Sequence, residues 1–202
     1  MIPITYGNIL AVFFNATDLE RINGDQWYLV ASQAAAVLAN RYGTTTSIAA
    51  GVIAALSPNN RWDKNLENAN SLIRAYQSGG LDAANLVKVA TYNNNKVKAL
   101  KILANGEPLD ILGGLKVRSF YDCIMGNDNI CIDGHAYAIW TGLYIPTTKT
   151  PNITPKVYQL IAADYRLAAD KINLILNANY SAAAIQAITW LTWRRMIKDG
   201  RK

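Results

Sequence analysis

Apolar residues along this chain recur at the spacing of helices. Ile9, Leu10, Phe13 and Phe14 predict a first helix within residues 6–17. Residues 27–42 are alanine-rich and stopped by Gly43, which predicts a second. Thr44, Thr45, Thr46 and Ser47 offer N-cap oxygens to a helix over 48–56. That segment, IAAGVIAAL, is apolar on nearly every side, the pattern of a central core element rather than a surface one. Ser57-Pro58-Asn59-Asn60 breaks the chain, because proline disfavours helical geometry in the residue before it. A polar helix over 61–77 follows and Gly79-Gly80 ends it. Asp82 caps a short helix carrying Leu86 and Val87. Residues 92–95, YNNN, cap another, with Val97, Leu100 and Leu103 as its apolar stripe and Lys96, Lys98 and Lys101 on its solvated side; Gly106 stops it.

Residues 109–140, LDILGGLKVRSFYDCIMGNDNICIDGHAYAIW, predict a short helix, a glycine-containing hairpin, a second helix, a brief extended run and an acid entering a new helix. A turn-rich loop comes next. Thr154-Pro155 then fits the N-cap and first position of a long helix to about residue 176. Ser181 caps a last helix with Ile185, Ile188 and Leu191 on one stripe. No stretch alternates at period two for long enough to argue for a sheet, and no repeat or low-complexity tract interrupts the pattern. The expected class is all-α.

Composition narrows the picture further. The net charge of +6 permits a polyanionic partner without demonstrating one. Cys123 and Cys131 match neither a metal-binding nor a disulfide-framework spacing, so two buried thiols in a reducing compartment are expected. With His135 the only histidine, neither a metal site nor any cofactor is expected. The N-terminal apolar run lacks a basic region before it and a small-residue cleavage site. No apolar segment reaches the roughly 18 residues that span a bilayer. A cytosolic monomer without membrane contact is the expectation, in a nucleoid or in the cytosol of an infected host.

Three segments carry a resemblance when taken in order. They are VIAALSPNNRWDKNLENANSLI over 52–73, TYNNNKVKALKIL over 91–103, and the 109–140 stretch. Together they resemble the helix–hairpin–helix DNA glycosylase superfamily, the group that includes endonuclease III, over about residues 48–142. That family pairs an apolar helix ending in a Ser-x-Gln type loop with a Tyr-Asn-x-Lys-like segment. A Leu-Pro-Gly-Val-Gly hairpin and an Asp-Thr-His segment follow.

The resemblance implies a two-lobed helical fold with one lobe over about 44–132 and the other over 1–43 plus 133–202, a DNA groove between them and a basic rim. It makes Asp133, in Ile132-Asp133-Gly134-His135, the catalytic carboxylate; such a group stabilises the positive charge that builds on a sugar as its base departs. The same residue also fits an ordinary helix N-cap. Leu112-Gly113-Gly114-Leu115-Lys116 aligns with the hairpin, whose amides at Gly114 and Lys116 would hold a DNA phosphate; a plain turn between helices fits equally. Asn59 and Asn60 stand where the family wedges a residue into the gap left by an extruded base, and a pair of cap residues is the alternative. Trp62, Tyr92 and Asn93 are base-pocket candidates, or packing and cap residues. His135 is expected to support Asp133 by hydrogen bonding. Trp190 and Trp193 fit the core, with Arg194 and Arg195 open to phosphate or solvent.

Two departures matter. Gly113 and Lys116 replace the hairpin's proline and second glycine. Arg118 stands where lyase members carry their Schiff-base lysine, and a guanidinium does not serve as that nucleophile, although Lys116 lies two residues earlier. The chain is therefore expected to be a monofunctional glycosylase. A related fold serving a phage pathway of base hypermodification, and a non-catalytic helical DNA-binding protein, are the alternatives.

Overall fold

The computed structural model describes residues 6–200, and among them there is helix, turn and loop but no strand. The helices run α1 (Tyr6–Phe14), α2 (Asp18–Asp25), α3 (Trp27–Tyr42), α4 (Thr46–Leu56), α5 (Trp62–Leu86) and α6 (Asn93–Asn105). They continue with α7 (Pro108–Ile111), α8 (Leu115–Ile124), α9 (Gly134–Thr141), a 3-10 turn at Thr147–Lys149, α10 (Pro155–Leu176) and α11 (Ala182–Lys198). The protein is all-α. None of these helices is long and apolar enough to cross a membrane.

Two compact units divide the chain. The central unit is Leu29–Asn127; the terminal unit combines the described residues through Tyr28 with those from Asp128 onward. These boundaries differ from the expected 43/44 and 132/133, and the reason lies in which core each segment feeds. Ala31, Ala35, Leu38 and Ala39 place most of α3 in the central core. Ile130 and Ile132 put the extended run before α9 in the terminal core. Residues 1–5 and 201–202, part of the expected second lobe, lie outside the described residues.

The central unit is built around α4. Thr45 caps it by accepting from the Ile48 N–H, and every residue from 49 to 56 is buried. Helices α5, α6, α7 and α8 pack around this apolar rod. As expected, Gly79-Gly80 interrupts α5: neither glycine has helical backbone, so α5 is two helical stretches joined at a kink, the second ending at Leu86 with Val87 outside it. Gly80 makes the bend with φ +64° and ψ −155°, a conformation essentially closed to residues with a Cβ. Gly80→Ala is expected to destabilise the protein by about 1–3 kcal/mol, measured by urea unfolding.

In the terminal unit α1, α9, α10 and α11 bury Ile9, Phe13, Ile139, Tyr165 and Ile188 together. Helix α2, which periodicity did not reveal, starts with a capping box: Thr17 Oγ1 accepts from the Glu20 N–H and the Glu20 carboxylate accepts from the Thr17 N–H. Arg195 of α11 donates to both Glu20 oxygens, at 2.7 and 3.1 Å, and to the Asn15 carbonyl at 2.8 Å. Burial alone would push the Glu20 carboxyl up. The hydrogen bonds from Arg195 and Thr17, with the Arg195 charge, outweigh it and hold the carboxyl below its ordinary value of 4.5. The stability this pair supplies is present above about pH 4.5 and is lost as pH falls through the lower folded value. Glu20→Gln is expected to remove about 2 kcal/mol at neutral pH and to flatten the acid limb of a pH–stability profile.

Candidate catalytic and nucleic-acid-binding sites

Asp133 belongs to the terminal unit and is the N-cap of α9. Its Oδ1 accepts from the Ala136 N–H at 2.9 Å, and its side chain is partly exposed. The approach to it is fixed from α10. The Tyr158 hydroxyl donates to the Ile130 carbonyl at 2.8 Å and accepts from the Ile132 N–H at 3.0 Å, clamping the extended run just before the acid. Tyr165, fully buried about two turns further along the same face of α10, has its phenol pushed well above the usual range. Burial is the main cause, a hydrogen bond with Thr189 opposes it, and the charge of Asp133 adds to it. The Tyr165 phenol thus stays protonated.

Gly134 follows, and its lack of a side chain has a local cause. A Cβ there would come within 2.6 Å of the Thr150 hydroxyl, carried just past the 3-10 turn. His135, on the first turn of α9, meets the Trp190 ring edge-on at 6.4 Å. Trp190 also packs against Trp27 at 5.3 Å, and the exposed Arg194 guanidinium lies 4.4 Å from its ring centroid. The two arginines of α11 therefore divide: Arg195 closes the unit on Glu20 while Arg194 sits on an aromatic face. Trp193 joins the terminal core, as its place in the pattern suggests. The Trp27–Trp190–His135 group was not legible from spacing, since 27, 135 and 190 meet only through tertiary packing.

The remaining candidates belong to the central unit. Gly113 and Gly114 form the turn between α7 and α8, and Gly114 is the N-cap of α8 at φ +79° and ψ 135° with no side-chain cap. Gly114 itself, lacking a side chain, makes no side-chain cap to α8. Lys98 of α6 reaches this turn, its Nζ lying 3.6 Å from where a Gly113 side chain would begin. Lys116 and Arg118 are exposed on the first turns of α8.

Asn59 and Tyr92 are brought together: Asn59 Nδ2 donates to the Tyr92 hydroxyl at 2.9 Å, with Asn59 in the left-handed region at φ 54°. Thr91 Oγ1 donates to the Pro58 carbonyl and accepts from Asn95, so the 57–60 loop is tied to the start of α6. Asn60 Nδ2 turns back to the Leu56 carbonyl. Asn93 is exposed at the first position of α6, and Trp62 packs edge-on against Phe120 at 6.4 Å. Cys123 and Cys131 are buried.

A family model matches residues 4–197, nearly the whole chain and both units. The chain belongs to DUF7178, a family of unknown function. The DUF7178 match thus takes in Asp133, the Gly-Gly turn and the Trp190 cluster alike. No curated protein and no solved structure matches the chain.

Proposed function

We propose that this protein is a DNA N-glycosylase-like enzyme that takes a nucleotide out of the duplex and hydrolyses its base–sugar bond with Asp133. The observation that carries the reading is Asp133 itself: a partly exposed carboxylate held by one oxygen at a helix start, its backbone clamped by Tyr158. An acid fixed this way can face the sugar as the C1′–N bond breaks. It stabilises the positive charge on C1′ and orients the water that attacks there, while the base leaves with the bonding electrons. The aromatic face of Trp190, with Arg194 over it and His135 at its edge, supports the reading as a surface suited to a base or phosphate. The start of α8 at Gly114, with Lys98 reaching the turn before it, suits a DNA phosphate. Extrusion of the target nucleotide is the costly step, easiest for a mismatched, damaged or modified base.

The test is a panel of duplexes carrying uracil, oxidised, alkylated and phage-type modified bases, scored for free base. Release from one class supports the proposal and names the substrate. Tight binding with no release on any member favours a binding protein in which Asp133 only caps α9. Because Arg118 occupies the position of the lyase lysine, borohydride should trap no covalent adduct. An adduct lost in Lys116→Ala would overturn the monofunctional reading.

A further inference from the structure

We propose that the central unit carries a phosphate-binding cleft, separate from the elements used in the glycosylase reading. It is a cavity of about 370 Å³ between one face of α5 and the extended segment that follows it, residues 88–90. The helix contributes Lys64, Glu67, Asn68 and Ser71, spaced three and four residues apart, so all four stand on one side. Lys88 comes from the segment opposite. The bend at Gly80 precedes that segment, and Lys96 donates to the Asn85 carbonyl at 2.6 Å, pinning the end of α5 from which it departs.

Asn68 is the deciding residue. Its neighbours on α5 have clear structural partners: Asn65 donates to the Ile53 carbonyl and Asn70 accepts from the Tyr42 hydroxyl. Asn68 is only 4 % exposed, and its amide nitrogen is buried without a hydrogen-bond partner. Asn65 Oδ1 is buried without a partner too, but Asn65 does not line the cleft. A buried amide donor left unmade is costly, and such groups are normally satisfied by protein, water or ligand. Here it belongs to a residue that lines a cavity.

The chemistry around it selects the ligand. Two ammonium groups, Lys64 and Lys88, and one hydroxyl, Ser71, accompany the amide. The single carboxylate, Glu67, is already paired with Lys64 at 2.5 Å. Two positive charges against one negative, with donors of three kinds, fit a phosphate group, whose oxygens accept from all of them. A hydrophobic ligand would leave the lysines and Asn68 unserved. The same group is available from a free or terminal phosphate and from the diester backbone of DNA.

The experiment is calorimetric titration of the whole protein with inorganic phosphate, a nucleoside 5′-monophosphate and a short duplex lacking terminal phosphates, at fixed ionic strength with chloride as control. Binding of the first two assigns the cleft to a free or terminal phosphate, and binding of the duplex alone assigns it to the DNA backbone. In either case Lys88→Gln and Lys64→Gln are each expected to weaken the bound ligand about tenfold. Both positions are exposed, so the variants keep the wild-type melting temperature in chloride. Asn68→Leu is expected to weaken binding as well, while melting at or above the wild-type temperature, because it removes a buried unmade donor. Affinities unchanged in all three variants, or no binding beyond the chloride control, would overturn the proposal. Base release plays no part in this readout, so the cleft and the glycosylase reading stand or fall independently.

Discussion

Asp133→Asn is expected to abolish base release, lowering its rate at least about a hundredfold, while leaving the melting temperature almost unchanged. The two halves of this expectation have different origins. As an N-cap, Asp133 uses one oxygen to accept from the Ala136 N–H. Asparagine ranks with aspartate in that role and presents the same carbonyl oxygen, so the helix keeps its cap. What Asn lacks is the negative charge that would stabilise a cationic sugar. Asp133→Ala removes both and should lose about 1 kcal/mol in addition. Measured side by side, the variants separate the carboxylate's charge from its geometry. Full base release by Asp133→Asn would sink the catalytic assignment, whatever Asp133→Ala does.

Gly24→Ala should be the most destabilising single-methyl change in the terminal unit. Gly24 lies near the end of α2, where that helix meets α11. A Cβ added there would stand 2.5 Å from Ile188 Cγ1 and 2.6 Å from the Ile188 backbone N and Cα. A side chain can swing aside, but the backbone of a buried helix cannot, so α2 has to lift. Lifting it also loosens the Glu20–Arg195 contact, and the loss should reach about 3 kcal/mol, the upper end for overpacking. For a chain of this size that corresponds to a fall in melting temperature of about 6–12 °C. A shift under about 2 °C would mean that the two helices pack less closely than the distances imply.

Where the chain carries its own punctuation, its helices are legible in the sequence. Thr154-Pro155 and Ser181 mark the starts of α10 and α11, and Gly43 the stop after α3; the caps act locally, through the side-chain oxygen or the absence of a Cβ. Helix α2 escaped because its apolar residues mislead. Leu19 and Ile22 are 66 % and 62 % exposed, while the contact that seats the helix is made by Gly24, which has no side chain to register. The Thr17-x-x-Glu20 box was the signal available. The Gly79-Gly80 break is legible for the same reason as the stop at Gly43: Gly79 and Gly80 both leave helical geometry, and a short second stretch of helix follows the kink.

The candidate site divides the same way. Asp133 as a residue entering a helix follows from its neighbours in sequence. The Tyr158 clamp, the Thr150 hydroxyl against Gly134 and the Trp27–Trp190–His135 group do not. Each joins residues from different helices or loops, and no local pattern encodes such meetings.

The sequence order of the two units sets the order in which the chain can mature during synthesis. The central unit is one continuous segment, so all of its core is available once residue 127 has left the ribosome. The terminal unit is interrupted: Ile9 and Phe13 bury against α10 and α11, and Glu20 waits for Arg195. Within this unit α1 and α2 are therefore made well before the helices they pack against. Until α9, α10 and α11 follow, α1 lacks part of the cover for its apolar face, and transiently exposed apolar surface of this kind makes a nascent chain prone to aggregation.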